Sequence, residues 1–334
     1  MKNNRILESI TTNQFFHWLR YAISPLHVKE ILDQYDGWKG VIAYNYPGLA
    51  LMRLRSLCHA RQIRIYADCT EWYLPDFHTL HRVAATLDSC LRMRWALKRV
   101  DGLIAISSFL ANYYKPYTKV VLLPPMVDLE ESKWVSANKA EPHDRLKLFY
   151  VGAPGLYFVK DRLDLIIKAI AAVSHPEQFE VHIVGIDKEQ ILVVFPELEP
   201  LITRLFATKT LLFHGRLPHH EALALLKTAD FSIFLRERNR MTTAGFTTKF
   251  VESISCGVPV ITTDTSDLRI YATDNRNAIL LPPDNFSKDL VELLETLSTG
   301  KHPLPKVERY LFDYRNYTRG LQAFLQDLFS PPKG

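Results

Sequence analysis

The run from Phe231 to Thr263, FSIFLRERNRMTTAGFTTKFVESISCGVPVITT, gathers more residues capable of chemistry than any other stretch of the chain. A buried strand is expected to end at Leu235, and a polar loop carrying Arg236, Arg238 and Arg240 follows. A helix should then start near Thr247 and stop before Gly257, with Pro259 beyond it. Gly245, Phe246, Thr247 and Thr248 thus fall at a helix N-terminus, and Lys249 falls in the first turn. Backbone N–H groups and the positive end of the helix dipole there suit a phosphate. Gly245 is expected to let the backbone approach it closely. An ordinary βα loop whose glycine serves only its turn has the same pattern, so this stretch alone leaves both readings open.

A second cationic feature is FYVGAPGLYFVKDRLDLIIKA, where Gly152 and Gly155 flank a sharp turn and Lys160 opens the following helix on the same sheet edge. In a water-poor site Lys160 would neutralise a diphosphate. Taken singly it reads as a solvated surface lysine.

Positioning these groups requires regular elements. Short β-branched runs alternate with longer amphipathic stretches, the pattern of βα units around a parallel sheet. The first series of expected strands covers 39–45, 64–68, 102–107 and 119–124, with helices near 47–61, 80–99 and 108–115. The second series covers 146–152, 179–185, 211–215, 231–235, 259–263 and 278–282. Between them, ESKWVSANKAEPHDR has no hydrophobic period and reads as a linker. The expected layout is an N-terminal domain over 1–130, a linker over 131–145, a C-terminal domain over 146–312, and a last helix over 313–330 packing back toward the N-terminal domain. Two doubly wound domains joined this way place ligands at the C-terminal ends of their strands, in a shared cleft.

Composition narrows the class. At 334 residues, two domains are the first expectation, and 47% hydrophobic with 23% charged residues describes a globular chain. No apolar run reaches the length of a membrane helix, and MKNNRILESITTNQ lacks the apolar core of a secretory signal, so the expected location is cytoplasmic. Cys58, Cys69, Cys90 and Cys256 are scattered without a C-x-x-C pair, which suggests neither zinc nor a disulfide framework. Residues 1–130 hold 16 Lys or Arg against 11 Asp or Glu, so the whole net charge of +5 lies there. That basic half suits an anionic partner such as a lipid diphosphate or the inner face of a membrane, and equally a solvated face without a role. No signature of nucleic-acid binding accompanies it.

Read in order, RVDGLIAISSFLANYY, VVLLPPMVD, FYVG with its downstream KD, FEVHIVG, LLFHGRLPHHEALALLKTADFSIFL and GFTTKFVESISCGVPVITTDTSDL resemble the retaining GT-B glycosyltransferases of the large family-4 type, also described as glycosyl transferases group 1. The resemblance runs from about Lys39 onward, and its last segment is the most specific. It implies a GT-B fold: two Rossmann-like, doubly wound α/β domains facing each other across a cleft. It implies transfer of a hexosyl or related sugar, with retention and without metal, from a UDP-, GDP- or dTDP-linked donor to a saccharide or lipid-linked saccharide, in cell-surface polysaccharide or glycoconjugate synthesis. No further cofactor is implied. By the same resemblance, Glu252 holds the ribose hydroxyls, as a carboxylate accepting two hydrogen bonds can. Lys160 holds the diphosphate, and the backbone of Gly215, Arg216 and Leu217 contacts the base. On the acceptor side Asp68 and Glu71, in YADCTEWY, would orient the hydroxyl or act as base. An Asp at a strand end also caps turns, and Trp72 also simply packs.

The sequence departs from the family pattern at three places. Ala244 stands where the motif has a first Glu, Ala153 stands where an Arg often precedes the diphosphate Lys, and the N-terminal domain is short. Arg236, Arg238 or Arg240 would supply the missing positive charge. In residues 1–38, Phe15, Phe16, Leu19, Ile23, Leu26 and Ile31 follow a helical period broken at Pro25, so a helix, a partner protein or a membrane surface is expected to cover the sheet edge. Two alternatives stay open: a non-catalytic nucleotide-sugar-binding subunit of a glycosyltransferase complex, and a GT-B nucleotide-sugar 2-epimerase.

Overall fold

The computed structural model describes residues 21–134, 144–155, 160–272, 276–300 and 305–326. All ten expected strands form, each within about two residues of its sequence bounds. They are β1 Gly40–Tyr44, β2 Arg64–Cys69, β3 Gly102–Ala105, β4 Lys119–Leu122, β5 Leu146–Val151, β6 Phe179–Val184, β7 Leu211–Gly215, β8 Phe231–Phe234, β9 Val260–Thr263 and β10 Ala278–Leu281. The chain divides into two units, Met1–Pro124 with Thr318–Gly334, and Pro125–Tyr317.

The first unit holds a parallel sheet in the order β1-β2-β3-β4. Ile65, Tyr66, Ala67, Leu103 and Ala105 are buried on both faces of the inner strands, which explains their near-continuous apolar runs. The crossovers are the helices Gly48–Ala60, Leu80–Leu91 and Ser108–Tyr114, the last capped by Ser107 Oγ, which accepts from Leu110 N. The stretch expected as one helix over 80–99 changes winding at Arg92, into a π-helical turn, Arg92–Ala96, and a 3₁₀ turn, Leu97–Arg99. The last helix, Thr318–Leu325, belongs to this unit. Phe324 meets the Tyr66 ring at 5.3 Å and fills the space over Gly102, where a Cβ would come within 2.7 Å of its ring.

Among the described residues β1 stands at the edge of its sheet, with Ile42 and Tyr44 exposed. Ahead of it, residues 21–23 are helical, the chain breaks at Pro25, and the helix Leu26–Leu32 follows against the helix Gly48–Ala60. Leu26 and Ile31 remain about half exposed, so neither joins the core. Phe15, Phe16 and Leu19 lie outside the described residues.

The second unit holds a parallel sheet in the order β10-β9-β8-β5-β6-β7. The chain builds outward from β5 through β6 and β7, then restarts at β8 on its other side, so the topological switch point lies between β5 and β8. Residues 131–134 open the stretch expected as a linker over 131–145. Ser132–Trp134 forms a 3₁₀ turn, and Trp134 is buried among Phe149, Leu223, Leu226 and Val258. The unit boundary therefore falls after Pro124 rather than after residue 130; one large indole in a polar run anchors what composition alone reads as a connection. Residues 135–143 lie outside the described residues. The expected helix over 313–330 likewise starts only at Thr318. Asp313 instead pairs with Val127 across a parallel bridge, with Val127 N donating to Phe312 O at 3.0 Å.

Candidate functional site

The strand ends at the switch point of the second unit are tightly packed. Gly152 follows β5 at φ +121°, and its N–H donates to Val184 O at 2.9 Å. Gly185 N in turn donates to Gly215 O at 2.7 Å. A Cβ on Gly152 would lie 2.8 Å from Lys249 Cε, so glycine there is what lets the lysine pass across the end of β5.

What Lys249 reaches is Asp161, a residue fully buried and not singled out from the sequence. Lys249 Nζ lies 2.9 Å from Asp161 Oδ2, Arg236 Nε donates to Asp161 Oδ1 at 2.8 Å, and Tyr150 OH donates to Oδ2 at 2.9 Å. Burial by itself raises the Asp161 carboxyl, but Arg236 and Lys249 outweigh it and hold it below the usual carboxylate range. Burial first, and then the Asp161 charge, push the Tyr150 phenol well up. Arg236 and Lys249 are thus committed inward, whereas the sequence reading offered both to a phosphate. The KD pair was the available signal: Asp161 follows Lys160 directly. Lys160 itself is half-buried, and its Cγ lies 3.1 Å from where a Cβ on Gly155 would stand. The following helix begins at Leu163 and not at Lys160, with Arg162 clamped onto Asp164 by Nε at 2.9 Å and Nη2 at 2.8 Å.

Beyond β8 the polar loop contains a short helix, Arg240–Ala244, capped by Asn239, whose side chain accepts from Thr242 N. Arg240 is exposed at its start, and Ala244 is fully buried. Gly245 closes that helix at φ −82°, a conformation open to any residue, so no positive φ requires a glycine there. The ring of Phe246 is buried against Phe250, Tyr271 and Phe312, so only its backbone remains for a ligand. The helix Thr248–Ser255 then starts as expected, with Thr247 at its N-cap. The Thr247 hydroxyl makes no capping bond, is 4% exposed, and has no hydrogen-bond partner among the described residues. Thr248 beside it is exposed. Orphan N–H groups at this terminus and an unpaired hydroxyl are a set of donors for an anion.

One turn further on, the carboxylate of Glu252 accepts at 3.2 Å from His219 Nε2, at the start of the helix His219–Leu226. Sequence reasoning passed over His219, although it lies in the LPHHEAL segment that follows β7. The structure therefore brings Glu252 to the loop of Gly215, Arg216 and Leu217. Gly215 has φ +60° and abuts Asp187, Arg216 is exposed, and Leu217 packs beside the Trp134 cluster. Directly before that loop, His214 Nε2 lies 2.8 Å from His182 Nδ1, and His182 Nε2 lies 2.6 Å from Glu180 Oε1.

Asp68 and Glu71 belong to the first unit and are described within it. Asp68 is the penultimate residue of β2, with its carboxyl pushed up by burial. Glu71 bonds the Tyr73 hydroxyl, and Trp72 is buried against Phe109 and Tyr113, a packing role. Asn45 Nδ2 donates to Thr70 Oγ1 at 2.7 Å, tying the ends of β1 and β2 together.

Among the described residues no group of His, Cys, Asp or Glu is arranged to hold a metal ion, and no helix is long and apolar enough to cross a membrane. Asp264 is taken up by Arg269, whose Nε donates to its Oδ2 at 2.9 Å.

Residues 145–299 match the model of the family described as Glycosyl transferases group 1. No curated protein matches the sequence. Among solved structures, sucrose-phosphate synthase from Thermosynechococcus elongatus is similar at TM-score 0.66 and 16% identity, over 94% of this chain and 79% of that one. Alr3699/HepE of Anabaena, in complex with UDP and glucose, is similar at TM-score 0.59 and 14% identity, over 90% and 81%. The lipopolysaccharide outer core galactosyltransferase WaaB is similar at TM-score 0.60 and 14% identity, over 94% and 81%. These likenesses show the GT-B fold.

Proposed function

We propose that this GT-B chain transfers a hexosyl or related sugar from a nucleoside diphosphate donor to a saccharide or lipid-linked saccharide acceptor, with retention and without a metal ion. The observation that carries the reading is the junction at the switch point of the second unit. There the helix Thr248–Ser255, with the unpaired Thr247 hydroxyl at its N-cap, is tied to the Asp161 cluster by Lys249, and Glu252 with its His219 partner lies one turn on. Phosphate binds at the helix terminus with Lys160, ribose at Glu252, and the base along Gly215–Leu217. One carboxylate set against Arg236 and Lys249 leaves the cluster net positive beneath the phosphate. A departing diphosphate is stabilised there by fixed charges and dipoles, which cost no reorganisation at the moment of bond cleavage. The family match over this unit, and the UDP and glucose held by Alr3699/HepE, support that assignment.

The acceptor is assigned to the first unit, at the ends of β1 and β2. A half-buried carboxyl with a raised pKa, as at Asp68, is suited to holding or receiving a hydroxyl proton. The protein works on the cytoplasmic side, with its basic N-terminal half toward the inner face of a membrane or a partner protein. A second reading, a subunit that binds the donor without transferring it, is favoured by one observation: Ala244, at the position of the motif's first Glu, is fully buried.

Thermal unfolding with UDP, GDP and dTDP and their sugars tests the proposal. At a concentration about 100 times Kd, one nucleotide family should stabilise the protein by about 2.7 kcal/mol. Stabilisation by none of them would remove the donor site. Stabilisation without transfer to any saccharide or lipid-linked acceptor would favour the subunit reading, and sugar isomerisation without acceptor would indicate an epimerase.

A further inference from the structure

Arg92 is 5% exposed, and its guanidinium is only partly satisfied. Nη1 donates to Asn45 O at 3.2 Å, while Nε and Nη2 have no hydrogen-bond partner among the described residues, and no carboxylate there pairs with the side chain. Burying a cation without a counter-ion is costly, and arginine cannot shed its proton to escape the cost. An apolar side chain would fill the same space without that penalty. Nε and Nη2 lie on one edge of the guanidinium, the edge whose two parallel N–H bonds match the two oxygens of an oxyanion.

The location fits a ligand. Asn45 directly follows β1 at φ +42°, its Nδ2 donates to Thr70 Oγ1 beyond β2, and its own Oδ1 is buried without a partner among the described residues. Arg92 therefore stands where the strands of an open parallel sheet present their C-terminal ends, the usual place for ligands. It also opens a π-helical turn, a winding that recurs at functional sites. The nearest helix N-terminus is already occupied by an internal anion: Asp88 Oδ2 accepts from Gly48 N at 2.9 Å, and Oδ1 from Leu49 N at 3.3 Å. The Tyr73 ring lies 5.7 Å from the guanidinium and is itself 45% exposed, so the aromatic neighbour of Arg92 borders solvent.

We propose that Arg92, through Nε and Nη2, anchors an oxyanion, a carboxylate or phosphate carried by the acceptor, with Asn45 Oδ1 accepting from a neighbouring hydroxyl. Naming the ligand the acceptor rests on the transferase reading; the oxyanion site does not.

The test follows the arginine Nε–Hε signals of the full chain by NMR, with the Arg92 signal assigned by its loss in Arg92→Met. Glucose 6-phosphate or glucuronate should move that signal saturably, and uncharged glucose should not. Phosphatidylcholine vesicles, with and without phosphatidylglycerol, form a separate arm; movement only with the anionic vesicles would locate the same oxyanion on a lipid headgroup. Arg92→Lys, which keeps the charge and loses the fork, should bind the responding anion at least about tenfold more weakly, the equivalent of one charge-assisted hydrogen bond. It serves as the affinity variant if Arg92→Met does not fold. No saturable movement with any anion, or unchanged affinity in Arg92→Lys, would overturn the proposal. A nucleotide titration of the same sample separates the two readings: failure to bind nucleotide with an intact Arg92 response removes the transferase and leaves the oxyanion site.

Discussion

Lys249 Nζ lies 2.9 Å from Asp161 Oδ2, so the first turn of the helix Thr248–Ser255 is tied to the loop after β5 by an ion pair that is almost wholly buried. Arg236, just beyond the end of β8, closes on the other oxygen of the same carboxylate. One aspartate thus joins the two sides of the switch point, where the chain itself makes no direct connection. It fixes the helix N-terminus relative to Gly152, past which Lys249 runs to reach it.

Replacing Asp161 by Asn should be strongly destabilising, because two buried cations lose their counter-ion while the shape is preserved. Breaking such a pair costs about 3–5 kcal/mol, whereas Lys160→Ala, which leaves the Asp161 cluster intact, should cost less. Urea unfolding of both variants measures the contrast. Equal midpoints for Asp161→Asn and the parent protein would mean that the cluster contributes nothing to the fold.

Glu252→Ala should weaken nucleotide binding while leaving the fold intact, since two hydrogen bonds to vicinal hydroxyls, each worth about 1.5–3 kcal/mol, would be lost. His219→Ala, which removes only the partner that orients the carboxylate, should cost less. Calorimetry on the two variants gives the order. An unchanged affinity in Glu252→Ala for every nucleotide the protein binds would end the ribose assignment.

The strands were legible in the sequence because parallel strands buried on both faces are apolar without interruption, as FSIFL and PVITT are. The helix start at Thr248 was legible from the strand, loop and Gly-Val-Pro stop around it. Asp161 and His219 were not legible, because an acidic residue beside a lysine and a histidine in a polar loop look solvated until the fold brings Lys249 and Glu252 to them. Trp134 was missed for a related reason: a single indole carries no period, yet it buries more surface than the polar residues around it. Arg92 lay inside an amphipathic run in which nothing marks a change of winding.

Lys160→Ala should weaken binding of the nucleoside diphosphate far more than that of the monophosphate, since its proposed partner is the distal phosphate. Equal losses would count against the role. The same arrangement of cation and helix terminus predicts that transfer persists in EDTA. Complete loss restored by Mg²⁺ or Mn²⁺ would show that a metal ion takes that part.

The His182–His214 pair sets a pH dependence. The rings stack at 5.0 Å, and Glu180 accepting from His182 Nε2 leaves Nδ1 to accept from His214 Nε2, an arrangement that requires the His182 ring neutral. Burial lowers both values from the ordinary 6.5; for His182, Glu180 opposes the shift without cancelling it. With folded values below the unfolded one, the unfolded chain takes up protons first, so the contribution is complete above pH 6.5 and is lost as pH falls through the folded values. The melting temperature should therefore be flat above about pH 7 and fall toward pH 5. His182→Gln with His214→Gln should flatten that fall, because neither replacement binds a proton. Because His214 precedes Gly215, nucleotide affinity in the parent protein should decline over the same interval. A double variant with the parent's full pH dependence would place the titrating groups elsewhere in the chain.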